Sequence, residues 1–280
     1  MDKSTLLSLP PEWQSWINEN IQRACDFNEI ADLMVRNGHF DLHRARKAIE
    51  EASDGNFKFA SLEKPMPAIN TSANTIQTAD RKIDILLTLQ QPYVVLLGNV
   101  LSAEECDVLV NYCEPALVRS PVVNDNDGTM ELHRHRTSQG MMIQRGETEV
   151  VQRIEARLAE LAQWPVDHGE GMQIQYYQKS NEYRPHFDWF NPELPGPRKH
   201  MEHGGQRLAT FVLYLSDVES GGGTSFPEIG LNVLPKKGSA VFFRNTHPSY
   251  VPDPRTLHAG DPVVSGVKVI ANKWLRERRY

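Results

Sequence analysis

From about residue 82 onward the chain is a succession of short apolar runs rich in β-branched and aliphatic side chains. They are Ile83–Leu89, Tyr93–Leu97, Met172–Tyr177, Leu208–Leu215, Ala240–Phe243 and Val267–Trp274. Such runs favour extended chain, where branched side chains pack on a pleated surface. Turn-forming clusters separate them, among them Glu219-Ser-Gly-Gly-Gly223 and Pro235-Lys-Lys-Gly238. Many short strands punctuated in this way predict a mainly β domain, a sandwich or barrel. Two segments break the pattern with helical spacing. Ser102–Val110 opens on a serine followed three residues later by Glu105, a capping-box signature, and Glu147–Leu161 gathers Val150, Val151, Ile154, Leu158 and Leu161 into an apolar stripe.

Residues 1–52 read differently. Glu12–Ile17, Asn28–Val35 and Asp41–Glu50 predict three short helices, with Asp41 as an N-cap and Asn37-Gly38 as the stop of the helix before it, glycine supplying left-handed backbone. The stretch Leu33–Phe40 followed by a helix loosely resembles ubiquitin-associated-type three-helix modules. The expectation is a small all-α module that caps the main domain or docks a partner. Residues 53–81, dominated by Ser, Asn, Thr and Pro, read as a linker, leaving 82–280 as the main domain. Residues 121–137 and 191–206, with Asn124-Asp-Asn-Asp-Gly128 and Pro195-Gly-Pro197, have the composition of mobile loops able to close over a substrate.

Composition narrows the function classes. The 280 residues are 40% hydrophobic and carry a net charge of −6, which disfavours nucleic acid as a partner. No apolar run approaches the roughly 18 residues of a membrane span, and the first residues lack the apolar core of a signal peptide, so the expected compartment is the cytoplasm and no membrane partner is expected. Three cysteines without a C-x-x-C pair indicate neither a disulfide framework nor a thiolate zinc site, and Cys106 and Cys113, seven apart on one helix, read as small core residues.

Ligand chemistry is most concentrated at His186-Phe-Asp188. On a strand, residues i and i+2 share a face, so one metal ion can meet both. The spacing alone is weak, since the chain has four His-x-carboxylate triplets. His39-Phe-Asp41 falls at a helix junction, and His168-Gly-Glu170 and His200-Met-Glu202 lie in segments read as solvated loop. His186 follows the aromatic stretch Tyr176-Tyr177 and Tyr183–Phe190, which can enclose a pocket. A third ligand must come from another strand, and of His247 and His258 the second is favoured. It precedes Val267–Trp274, whose alternation puts Lys268, Ile270, Asn272 and Trp274 on one face. A lysine turned into a barrel implies an anionic partner. Two histidines and one carboxylate with open positions opposite suit non-haem Fe(II).

Here the chain resembles a known family. From about Ile83 to Arg278 it is similar to the prolyl 4-hydroxylase type of Fe(II)/2-oxoglutarate dioxygenase, a double-stranded β-helix (jelly roll) supported by helices. The resemblance rests on Tyr177 nine residues before His186, Tyr183-Arg-Pro-His-Phe-Asp188, Gly205-Gln-Arg-Leu-Ala-Thr210 and Gly221-Gly-Gly-Thr-Ser-Phe-Pro227. It continues through Pro235-Lys-Lys-Gly-Ser-Ala-Val-Phe-Phe243, His258 with Lys268 ten residues on, and Asn272-Lys-Trp-Leu-Arg-Glu277. The resemblance implies that His186, Asp188 and His258 hold Fe(II), and that Lys268, assisted by Tyr177 and Thr224, binds the distal carboxylate of 2-oxoglutarate. It implies hydroxylation rather than halogenation, because Asp188 is not a small residue, with ascorbate as an accompanying reductant. Tyr183, Arg207 and Trp274 match substrate-side positions, which points to a prolyl residue in a peptide or protein. Arg276 is a departure, since relatives commonly carry His two residues after the tryptophan. It leaves open a free amino acid or small metabolite whose carboxylate Arg276 would bind, and a non-catalytic jelly-roll binding module is the remaining alternative.

Overall fold

A computed structural model describes residues 4–40, 42–59, 64–131 and 136–280. It divides the chain into two compact units, one up to Lys64 and one from Pro65 onward. The smaller contains three helices, α1 (Pro11–Gln22), α2 (Phe27–Gly38) and α3 (Leu42–Ala52), around a core of Ile17, Ile30, Met34, Ala45 and Ile49. The Asp26 carboxylate caps α2 by accepting from the backbone N–H groups of Asn28 (2.8 Å) and Glu29 (3.1 Å). Asp41, expected as a cap, lies outside the described residues. The left-handed residue that ends α2 is His39 (φ 53°), not Gly38. Gly38 is needed for space instead, because a Cβ there would stand 2.7 Å from the Trp13 ring. Residues read as linker pack on this bundle: Phe57 stacks on Phe27 at 4.0 Å, and the Phe59 N–H donates to Glu50 Oε1 (2.8 Å).

From Pro65 onward the linker stretch belongs to the larger unit. Ala68 N–H donates to the Ala162 carbonyl (2.8 Å), Ile69 is buried, and Thr75–Gln77 forms an edge strand against Lys82–Leu89. Polar composition hid these contacts because they are made by backbone and by isolated side chains. The main sheet is antiparallel, with nine strands in the order Thr75–Gln77, Lys82–Leu89, Val94–Gly98, Ala240–Arg244, Arg207–Tyr214, Lys268–Arg276, Gly169–Tyr177, Gln139–Ile143 and Val118–Arg119. A smaller sheet of four orders Leu231–Val233, Thr224–Phe226, His258–Gly260 and Tyr183–His186.

Two apolar layers explain why the central strands read as unbroken hydrophobic runs. Phe211, Leu213, Phe242, Val269 and Ala271 enter a core shared with α4 (Ala103–Cys113) and α5 (Glu149–Ala162). Their neighbours Val212, Tyr214, Phe243 and Ile270 enter a second core together with Phe226 and Val233 of the smaller sheet. Strands buried on both faces show no amphipathic alternation in sequence. This is the two-sheet jelly roll with helical support. Cys106 and Cys113 are buried in the first core, as their spacing on one helix indicated. No helix among the described residues is long and apolar enough to cross a membrane.

The helices are fixed at their ends by charge. Ser102 Oγ accepts from Glu105 N–H (3.1 Å) and Glu105 Oε2 accepts from Ser102 N–H (2.9 Å), completing the capping box. Glu105 also meets the buried Arg157 of α5 (2.8 Å), which in turn grips Asp80 (2.6 Å). Residues 191–206, expected as loop, contain α6 (Pro195–Glu202), and His200 on it stacks against Phe190 (ring centroids 5.6 Å apart) instead of lying in solvent. Arg157→Ala would leave Glu105 buried beside its helix without this cation. The expected loss is about 3–5 kcal/mol of stability, measured by denaturant unfolding.

Candidate active site

The smaller sheet brings the metal-ligand candidates together. His258 opens its strand directly opposite His186 in the antiparallel ladder, so the two rings lie 4.4 Å apart between centroids. Asp188, two residues on, turns its carboxylate back to the same point. His186 Nε2 is 3.9 Å from Asp188 Oδ1, and His258 Nε2 is 3.6 Å from Oδ2. One ligand atom from each residue lies within 4.8 Å of the others. His247, the other histidine weighed for this place, instead lies 3.8 Å from Asp253.

The hydrogen bonds behind the rings decide their chemistry. His186 Nδ1 meets the Arg184 carbonyl at 2.9 Å and His258 Nδ1 meets the Thr256 carbonyl at 3.0 Å. A carbonyl only accepts, so Nδ1 carries the hydrogen and Nε2 presents its lone pair. Burial, followed by the neighbouring His258, pulls the His186 imidazole down to about 3, keeping it neutral. Asp188 Oδ2 accepts from the Thr210 hydroxyl (2.8 Å), which also accepts from Asn245 Nδ2 (3.0 Å). Two ring nitrogens and one carboxylate oxygen on one side of a point fit a divalent iron with positions left for other ligands.

Lys268 stands in the same cleft, opposite Tyr177 in the sheet ladder and only 1% exposed. Its ammonium donates to the Gly223 carbonyl (3.2 Å), and among the described residues no carboxylate forms an ion pair with it. Burial pulls it down to about 8, with Asp261 opposing. A Cβ at Gly223 would lie 2.1 Å from Asn232 Oδ1, so any larger residue there would have to displace the Asn232 amide. Thr224, Gln175 and Asn272 line the cleft beside the histidines and Lys268. The Thr224 hydroxyl accepts from Tyr214 (2.9 Å) and keeps its own hydrogen to donate. The Tyr177 hydroxyl donates to Gln175 Oε1.

Substrate-side expectations meet a mixed outcome. Tyr183 stacks on His186, with ring centroids 3.6 Å apart, and Arg136 covers it at 4.7 Å. Arg207 makes a two-pronged pair with Glu170 (2.6 and 2.8 Å) and lies 3.8 Å over the Trp274 ring. Arg276 is not available to a substrate carboxylate. It is 1% exposed and already bound, to Glu170 Oε1 (2.9 Å) and to the carbonyls of His200 and His203 at the end of α6. The reading that it receives a small acid is therefore corrected: its charge is used to hold a helix end and a buried carboxylate. Thr210, Asn245, Gln173 and Gln175 were assigned no role from sequence. For the two glutamines a signal was present, because Gln173, Gln175 and Tyr177 alternate with Met172, Ile174 and Tyr176 and so share one face of their strand.

Comparison with known proteins agrees with this geometry. Residues 172–276 match the 2OG-Fe(II) oxygenase superfamily. The chain is 38% identical over 209 residues to prolyl 4-hydroxylase 5 of Arabidopsis thaliana, an alignment covering 68% of this chain and 70% of that protein. It is 36% identical over 209 residues to the probable prolyl 4-hydroxylase 3 of the same plant, covering 68% and 71%. Among solved structures it is similar to a viral collagen prolyl hydroxylase from Paramecium bursaria Chlorella virus-1 in complex with 2OG, with TM-score 0.52 and 30% identity over 65% of this chain and 95% of that one. With the fold, the ligand cluster and these relatives in agreement, the chain belongs to the prolyl 4-hydroxylase type of 2OG-Fe(II) oxygenases, enzymes that use Fe(II) and 2-oxoglutarate.

Proposed function

We propose that this protein hydroxylates a prolyl residue within a peptide or protein, with His186, Asp188 and His258 holding Fe(II) and Lys268 receiving the distal carboxylate of 2-oxoglutarate. The observation that carries the reading is the convergence of those three ligands beside a buried, carboxylate-free lysine in one cleft. When bound, iron and 2-oxoglutarate use O2 to oxidise a C–H bond to C–OH, releasing succinate and CO2.

The chain's own residues supply placement. Backbone carbonyls hold both imidazoles with Nε2 toward the site, and Thr210 orients the carboxylate. Lys268 and Thr224 give the far end of the dicarboxylate a cation and a hydroxyl donor. Tyr183 is covered by His186 and Arg136, and Trp274 by Arg207, so these rings act by holding their neighbours in place. A peptide or protein substrate is supported by relatives named as prolyl 4-hydroxylases, one of the structures being a collagen prolyl hydroxylase. A free amino acid fits less well, because Arg276 is occupied.

Succinate release with Fe(II) and 2-oxoglutarate should be stimulated by proline-containing peptides and not by free proline or other amino acids. Stimulation by the free amino acids alone would reverse the substrate assignment. Lys268→Ala removes a charge-assisted hydrogen bond worth roughly 1.5–3 kcal/mol, so 2-oxoglutarate should bind about 10- to 100-fold more weakly in a calorimetric titration. Because Lys268 is depressed to about 8 in the free protein, the ammonium is present below that pH and lost above it. The dissociation constant for 2-oxoglutarate should be flat near neutrality and rise as pH passes about 8, and Lys268→Arg, charged throughout, should remove the rise.

A further inference from the structure

Between the strand Ala240–Arg244 and His258 the chain makes an excursion that is tied off at Asp253. Thr246 bridges to Pro252, His247 N–H donates to the Val251 carbonyl (2.8 Å), and Asp253 N–H closes the loop by donating to the Asn245 carbonyl (3.0 Å). Asn245, fully buried, is the residue whose amide supports Thr210 and through it Asp188. On its other side Asp253 opens a single turn, Pro254–Thr256, and its carbonyl accepts from both the N–H (3.1 Å) and the hydroxyl (2.7 Å) of Thr256. Those two bonds fix the peptide that follows, and the Thr256 carbonyl meets His258 Nδ1.

The turn is held from inside by the Asp253 carboxylate, which is 4% exposed. Its Oδ1 accepts from the Arg255 N–H (3.0 Å), closing an Asx turn, and the Arg255 guanidinium grips both oxygens (2.9 and 2.7 Å). A carboxylate hidden this well is costly unless its bonds are made, and here backbone and side-chain donors meet it together. His186 is independent of this turn, since its Nδ1 rests on the Arg184 carbonyl of its own strand.

We infer that Asp253 is a positioning residue for His258: its carboxylate shapes the turn that aims the Thr256 carbonyl at Nδ1, and so keeps Nε2 bare for a metal. The inference rests on the metal reading of the cleft given above. Without the carboxylate the turn loses its cap, and the imidazole is free to carry its hydrogen on either nitrogen. Only rings protonated at Nδ1 can bind the ion, so apparent affinity falls in proportion to their share. Outer partners of metal ligands are worth about 10- to 100-fold in affinity, and Asp253, one residue removed from the ligand's own partner, belongs at the lower end.

The test uses the full-length protein and a pair of readouts. Mn(II) binding is measured by calorimetry, and the ring tautomers of His186 and His258 by long-range proton–nitrogen NMR spectra of the metal-free protein at about pH 8, above the usual imidazole range. Asp253→Ala should weaken Mn(II) binding about tenfold and turn His258 into a mixture of tautomers, while His186 keeps its hydrogen on Nδ1. Asp253→Asn retains an oxygen for the Arg255 N–H, and asparagine caps as well as aspartate, so its affinity should stay within about twofold of wild type. Should Asp253→Ala not fold, Arg255→Ala, which lets the carboxylate swing out of the turn, should show the same selective change at His258. An unchanged affinity, an unchanged His258 tautomer, an equal change at His186, or an asparagine variant as weak as the alanine one overturns the inference. Wild-type protein that binds no Mn(II) overturns the metal reading, and the His258 tautomers, read without metal, then decide on Asp253 by themselves.

Discussion

Everything proposed for the cleft depends on two hydrogen bonds that leave the imidazoles no choice of tautomer. His186 and His258 each give Nδ1 to a main-chain carbonyl two residues earlier, Arg184 and Thr256 respectively. Because the acceptors belong to the backbone, no rotation of a partner side chain can release them. The strand ladder that pairs His258 with His186 then aims both free nitrogens at Asp188. Metal affinity is in this way written into sheet geometry, with Thr210 and Asn245 steadying the third ligand from the neighbouring sheet.

The strand Lys268–Arg276 shows how this fold distributes buried charge. Three of its cations lie out of solvent, and two have carboxylates: Lys273 pairs with Glu155 (2.5 Å) and Arg276 with Glu170 (2.9 Å). Among the described residues Lys268 forms no ion pair, and it donates to the Gly223 carbonyl. Desolvating a cation costs several kcal/mol unless it is paired, so the exception marks the place where an anion is meant to arrive. The same strand therefore holds the sheet together at one end and, in the proposed reading, receives the co-substrate at the other.

Much of this was legible beforehand. The apolar runs located the central strands to within three residues at either end, and the Ser102–Glu105 signature located α4, because both signals are local. The triplet His186-Phe-Asp188, the later His258 and the alternation around Lys268 marked the cleft. Other parts were hidden for stated reasons. Residues 65–81 join the larger unit through backbone bonds and through scattered side chains such as Ile69 and Asp80, which form no periodic pattern. Helix α6 is short, begins at proline and glycine, and depends on Arg276 at its far end, which no local pattern announces.

What the sequence determined by itself is the inventory and its periodicity: which segments extend, which coil, and which side chains share a face of one strand. Only the tertiary structure decided which faces meet. It chose His258 over His247 by strand pairing, and it used up Arg276 on Glu170 and a helix end. It also turned the Tyr177 hydroxyl toward Gln175. Each of these is a contact between residues distant along the chain or a direction of hydrogen bonding, and neither is encoded in local spacing, because both depend on what the fold packs alongside.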